Sequence, residues 1–193
     1  AIRLAAARSL VSSDISALYQ PLFIKAFNEI LNVNDINSWR GEGRANQGLL
    51  AIEQNDLLSA EKSFKDAIRI DPYFDAGYIN LADLYRIQQK PALVSAVLMQ
   101  GIIKAPLSGV LNYSFGLHLV RQKQLEKSIG YFEKAMSLTP INPQYAYTYV
   151  LAIDGIGKSQ QALSQLKTLI LTYQDKSQLK ELGLYLSQKL ASQ

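Results

Sequence analysis

Residues 109–142 read GVLNYSFGLHLVRQKQLEKSIGYFEKAMSLTPIN. Within them, Val110–Gln122 and Leu125–Leu138 repeat apolar residues with a period near 3.6, the mark of an amphipathic helix. A polar break separates the two stretches. Pro140 follows the second. It has no amide proton and restricts the residue before it, so it stops a helix. The segment predicts two helices joined by a tight turn. A single pair cannot bury its apolar face, so neighbouring pairs must stack on it.

The neighbours have the same plan. Gly41–Phe74, Asp75–Ser108, Gly109–Asn142 and Pro143–Lys176 are four contiguous blocks of 34 residues. One column holds Gly48, Ala82, Gly116 and Val150, small except in the last block. A second holds Ala60, Val94, Ser128 and Ala162. A bulky column holds Phe64, Leu98, Phe132 and Leu166. A further small column holds Ala67, Gly101 and Ala135, with Leu169 departing, and the last holds Pro72, Pro106 and Pro140, with Gln174 departing. Small residues on facing turns let antiparallel helices approach closely. The fourth block departs most, as expected of a terminal copy. Beyond it, Ser177–Leu190 has one apolar stripe (Leu179, Leu182, Leu186, Leu190) and is expected to cap the open end.

These columns resemble the signature positions of the tetratricopeptide repeat family, over 136 of the 193 residues. The resemblance implies an all-α fold, a right-handed α-α superhelix. Its expected divisions are 1–40 (degenerate helices), four repeats at 41–74, 75–108, 109–142 and 143–176, and a capping helix at 177–193.

Composition sets outer limits. Apolar residues make up 48% and charged residues 19%, ordinary values for a globular chain of this length. There is no Cys and one His, His118, so disulfides and thiolate metal sites are excluded and a zinc site is disfavoured. No apolar run reaches the roughly 18 residues of a membrane span. Net charge is +4, and residues 101–193 carry the excess, with 10 Lys/Arg against 5 Asp/Glu. Those cations are scattered, as on solvated helix faces.

The first forty residues carry two further helical patterns. Ile2–Val11 places Leu4, Ala7 and Val11 on one face, and looks like the second helix of a HEAT repeat. Pro21 can open a helix to about Val33, with Leu22, Ala26, Ile30 and Val33 inward. Trp39 is expected to pack at the entry to the first full repeat. A HEAT-like helix running into tetratricopeptide repeats is similar to the C-terminal part of bacterial multihaem c-type cytochromes. That resemblance implies a periplasmic setting, with a cytoplasmic one as the alternative. The chain does not begin with Met and reads as a piece of a longer protein or as a processed one. No Cys-x-x-Cys-His motif is present, so no haem role transfers to any residue, and no cofactor is expected in this chain.

Catalytic constellations are lacking. Ala152-Ile-Asp-Gly-Ile-Gly157-Lys158-Ser159 loosely matches a phosphate loop, but a phosphate loop follows a β-strand, and here a helix precedes it. His118 sits inside a helix and reads as packing. Asp71 and Asp75 flank a Pro turn and read as turn or cap residues. Tyr145, Tyr147 and Tyr149 lack the basic stripe that a single-strand stacking platform needs. The chain is therefore expected to be neither an enzyme nor a nucleic-acid binder, and not to insert in a membrane.

What remains is protein binding. In tetratricopeptide proteins the first helix of each repeat lines the concave face. Transferred by register, the first repeat offers Asn46 and Leu49, and the second Asn80, Asp83 and Arg86. The third offers Tyr113, Leu117 and Arg121, and the fourth Tyr147, Leu151 and Asp154. The resemblance implies a peptide or helix on this face, anchored at Tyr113 and Tyr147 with its backbone held by Asn46 and Asn80. The partner is another protein or the parent protein's own upstream domain. The alternative is a structural spacer that positions such a domain.

Overall fold

The computed structural model describes residues 39–173 and 177–192, together with 24–26, 28, 29 and 32. The expected Ile2–Val11 helix lies outside these residues. Of the inward positions expected from Pro21 to Val33, only Ala26 is described, and it is buried.

Nine helices can be bounded among the described residues: α1 Gly41–Glu53, α2 Leu57–Ile70, α3 Asp75–Ile87, α4 Pro91–Lys104, α5 Gly109–Arg121, α6 Leu125–Leu138, α7 Pro143–Gly155, α8 Ser159–Leu169 and α9 Ser177–Ala191. No strand occurs among the described residues. The all-α class and its repeating helix pairs follow from the sequence columns. The odd-numbered helices begin at 41, 75, 109, 143 and 177, always 34 apart. The described helices form two compact units, α1–α4 and α5–α9, divided between Ala105 and Pro106.

Each pair is closed by the same turn. Asn55, Gln89, Lys123 and Gly157 lie 34 residues apart and all have φ between 56° and 81°. The following amide reaches back into the helix: Asp56 to Ala51 O (2.8 Å), Lys90 to Tyr85 O (2.9 Å), Gln124 to Leu119 O (2.9 Å) and Lys158 to Ile153 O (3.3 Å). A left-handed residue with this backbone bond satisfies carbonyls that a helix end leaves open. Two of the second helices then start on a cap or on proline. Asp56 Oδ1 accepts from Ser59 N at 3.0 Å, and Pro91 occupies the first turn of α4. Among first helices, Ser108 Oγ caps α5 through Leu111 N at 3.1 Å.

Packing explains the columns. Gly116 faces Phe132 so closely that a Cβ there would sit 2.5 Å from its ring, and Gly48 faces Phe64 in the same way. Where the bulky column holds Leu98 or Leu166, the small column holds Ala82 or Val150. The departure at Val150 therefore matches a smaller partner. In the second unit the core runs from Phe132 through Val150, Ile153 and Leu166 to Leu179, Leu182 and Leu186 of α9.

Trp39 departs from expectation. It is 71% exposed, and the Arg40 guanidinium lies 5.2 Å from its ring centre. It stands in the turn before α1 rather than on a helix face, so the register offers it no hole to fill.

Candidate functional site

In the first unit, α1 and α3 lie side by side. They carry Asn46, Leu49 and Asn80 half-buried, with Asp83 and Arg86 exposed. Arg86 Nε donates to Asp83 Oδ1 at 3.0 Å, an ion pair within one helix. Such exposed pairs contribute little to stability, so both groups remain accessible to a ligand.

In the second unit the expected residues divide. Tyr113 of α5 is drawn into packing. Its ring stacks on Tyr145 at 4.5 Å and tilts against Phe132 at 5.6 Å. Its hydroxyl lies 3.1 Å from Thr148 Oγ1. Leu117 packs against the same core, and Arg121 is exposed at the end of α5.

Asp154 is a correction to the expected partner face. It is only 7% exposed and already carries two bonds. Ser159 Oγ donates to Oδ1 at 2.5 Å, and Lys189 Nζ of α9 donates to the same oxygen at 2.7 Å. Burial would raise this carboxyl's pKa, but the hydrogen bonds from Lys189 and Ser159, with the Lys189 charge, outweigh it and hold it below the usual range. Asp154 thus ties α9 to the C-terminal end of α7. The same bond occupies the serine of the phosphate-loop look-alike. Helix α7 precedes that string, and Gly157, at φ +81°, is its turn residue.

Tyr147 and Leu151 open onto a groove of about 540 Å³ between α7 and α9. Its other residues are Gln144 on α7 and Gln178, Glu181, Leu182 and Tyr185 on α9. Counted from each helix start, Gln144 and Gln178 share one position, Tyr147 and Glu181 the next, and Leu151 and Tyr185 the third. The α9 residues and Gln144 are additions to the expected site. The signal for those on α9 is the same 34-residue interval, carried once more past Pro143 to Ser177. Lys189 Nζ lies 5.9 Å from the Tyr185 ring centre, so the salt bridge that anchors α9 also braces one groove wall.

His118 is buried, and its pKa is lowered by that burial and by the charge of Arg121. Asp71 Oδ1 accepts from Tyr73 N at 3.1 Å, a turn bond. No helix among the described residues is long and apolar enough to cross a membrane.

The tetratricopeptide repeat family pattern matches residues 42–74. In three dimensions the chain is similar to TTC0263, a thermophilic tetratricopeptide protein of Thermus thermophilus, with a TM-score of 0.62, 14% identity, and 95% of this chain and 98% of that one covered. The fold is the tetratricopeptide-repeat fold. YrrB, a tetratricopeptide protein with an unusual peptide-binding site, aligns at a TM-score of 0.56 and 17% identity over 74% of each chain. MamA from Desulfovibrio magneticus RS-1 aligns at 0.58 and 16% over 89% of this chain and 96% of that one. No curated protein matches the chain significantly by sequence. In tetratricopeptide terms α1, α3, α5 and α7 are the first helices of four pairs, and α9 occupies the place of a fifth first helix.

Proposed function

We propose that this chain is a protein-interaction module and that its second unit takes an extended peptide in the groove between α7 and α9. The tetratricopeptide fold supports binding of a protein segment over catalysis, and in YrrB the fold carries a peptide-binding site. The observation that carries the finer reading is the groove lining. Gln144 and Gln178 each offer a donor and an acceptor to a peptide backbone. Tyr147 and Tyr185 offer rigid contact area that loses little entropy on binding. Leu151 and Leu182 supply an apolar floor, and Glu181 selects a basic side chain on the ligand.

Asp83 and Arg86, with Asn46 and Asn80, give the first unit a polar surface on the corresponding helices. Tyr113 acts behind the groove, because its ring holds Tyr145 and its hydroxyl meets Thr148.

The test is a tiled-peptide array, followed by affinity measurements on the best binder. Tyr147→Ala and Tyr185→Ala should each weaken binding by about 1–2 kcal/mol or more. Glu181→Gln should weaken only peptides that carry Lys or Arg. Unchanged affinity in both tyrosine variants, with helicity intact, would move the site off this groove.

A further inference from the structure

Helix α4 breaks the pattern of its counterparts. Its 14 residues, PALVSAVLMQGIIK, hold one charged side chain, Lys104. The equivalent helices α2 and α6, LLSAEKSFKDAIRI and LEKSIGYFEKAMSL, hold five and four. A helix with so few charges has no strongly polar side to turn to water. Its inner stripe of Val94, Leu98, Gly101 and Ile102 is buried, yet Leu93 is 42% exposed and Ile103 71%.

Leu93 borders a groove of about 500 Å³ whose described lining lies wholly within the first unit. Helices α2 and α4 are its sides, and α3, which packs against both, is its floor. Leu81 of α3, Ile68 of α2 and Val97 of α4 make the inner surface apolar. The floor tyrosines are held in place, because Tyr78 OH donates to Pro72 O and Tyr85 OH to Glu61 Oε1, each at 2.9 Å. The rim is cationic, with Lys65 and Arg69 on α2 and Lys104 on α4, and no acidic residue lines the groove among the described residues. Lys65 and Arg69 pair within their own helix, with Glu61 at 2.6 Å and Asp66 at 3.1 Å. Exposed pairs of this kind contribute little, so both cations stay open to a carboxylate from outside.

The repeat itself does not demand this lining. At the same register in the second unit, Glu133, Ser137 and Thr172 replace the three cations, and Gln161 and Gln165 replace Leu93 and Val97. Those five positions hold no cation and no apolar side chain.

We propose that the α2–α4 groove receives an acidic amphipathic helix of another protein, its apolar stripe on Leu81, Leu93 and Val97 and its acidic flanks on Lys65 and Arg69 at one side and Lys104 at the other. Cations on both sides select the form of the occupant. A helix sends charged side chains to both flanks of one apolar stripe. A strand alternates its side chains and would turn the charges away from the floor to water. A single carboxylate on an alkyl chain answers only one side. A second copy meeting this face about a two-fold axis would bring the same cationic patch to both sides. The groove follows α4 from Leu93 to Lys104, about 16 Å at the rise of a helix, or about three turns of the incoming one.

The probe is a capped, dye-labelled peptide with Leu at i, i+3, i+4 and i+7 spacing and Glu on both flanks, compared with the same peptide carrying Lys in place of every Glu. Fluorescence anisotropy with the full chain should show saturable binding of the acidic peptide, tighter by roughly tenfold or more than that of the basic one. The double variant Arg69→Glu/Lys104→Glu should reverse the preference, while circular dichroism shows it folded. Leu93→Gln, which installs the residue of the second unit, should weaken the acidic peptide and leave the preference for acid over base. Tyr147→Ala should leave this binding unchanged, which separates the site from the α7–α9 groove. Absence of saturable binding, equal binding of the two peptides, an unreversed preference or loss of binding in Tyr147→Ala would overturn the proposal. So would sedimentation showing dimers that Leu93→Gln dissociates.

Discussion

The pairing of Gly116 with Phe132 can be tested to the scale of a methyl group. A Cβ added at Gly116 would lie 2.5 Å from Phe132 Cε1 and 2.7 Å from Cδ1. Optimal carbon–carbon separation is about 3.5–4.0 Å, so the ring would have to move by roughly 1 Å. Phe132 is wholly buried and has no open space to move into. Overpacking of this kind costs about 1–3 kcal/mol. Replacing Gly by Ala inside a helix returns about 0.8–1 kcal/mol. Gly116→Ala should therefore cost roughly 0–2 kcal/mol, the overpacking offset in part by the better helix former. Phe132→Leu alone leaves a cavity and should cost roughly 1–2 kcal/mol. Together the two changes recreate the Ala82–Leu98 combination found one repeat earlier. The double variant should cost less than the sum of the single ones, with a coupling of about 1 kcal/mol or more. Urea titrations followed by circular dichroism at constant slope measure all four states. Strict additivity of the two changes would refute the claim that these two columns set each other's size.

Three further tests address other parts of the structure. Ala135 is fully buried and Lys134 exposed, so Ala135→Leu should cost about 1–3 kcal/mol in the same titration and Lys134→Leu far less. Gly157 has φ +81° and open space where a Cβ would go, so Gly157→Ala isolates backbone strain and should lose about 1–2 kcal/mol; Lys123→Gly, at the equivalent turn, should gain stability. Asp154→Asn weakens the tie to Lys189, and hydrogen exchange should show α9 losing protection before α5 does. Because the folded pKa of Asp154 is depressed, the stability it contributes is present above its unfolded value of about 3.9 and lost as pH falls through the folded value. Wild-type α9 should loosen only on acidification below about pH 4.

The fold is legible because the helix-pair signal recurs at an interval that chance rarely sustains, and each column corresponds to one packing job. Columns taken singly do not show that Gly goes with Phe and Ala or Val with Leu; that pairing is a property of two columns read together. The site is less legible. Register gives the direction in which a side chain leaves its helix, not what arrives from elsewhere to meet it. Lys189 reaches Asp154 from 35 residues away, and Thr148 meets Tyr113 from the same distance. Helix α9 reads as a cap because Leu179, Leu182 and Leu186 account for its inner stripe. An inner stripe says nothing of the other sides of a helix, where Gln178, Glu181 and Tyr185 line a cavity.

Helix α9 is thus a wall of the groove it shares with α7. Three leucines and the Asp154–Lys189 pair hold it in place. The groove exists only while α9 is seated, so a ligand in it stabilises the seated state. By reciprocity the ligand and the seating of α9 favour each other by the same factor. The last described helix is in that sense part of the ligand's grip: the easier it is to unseat, the more a bound peptide does to hold the fold together.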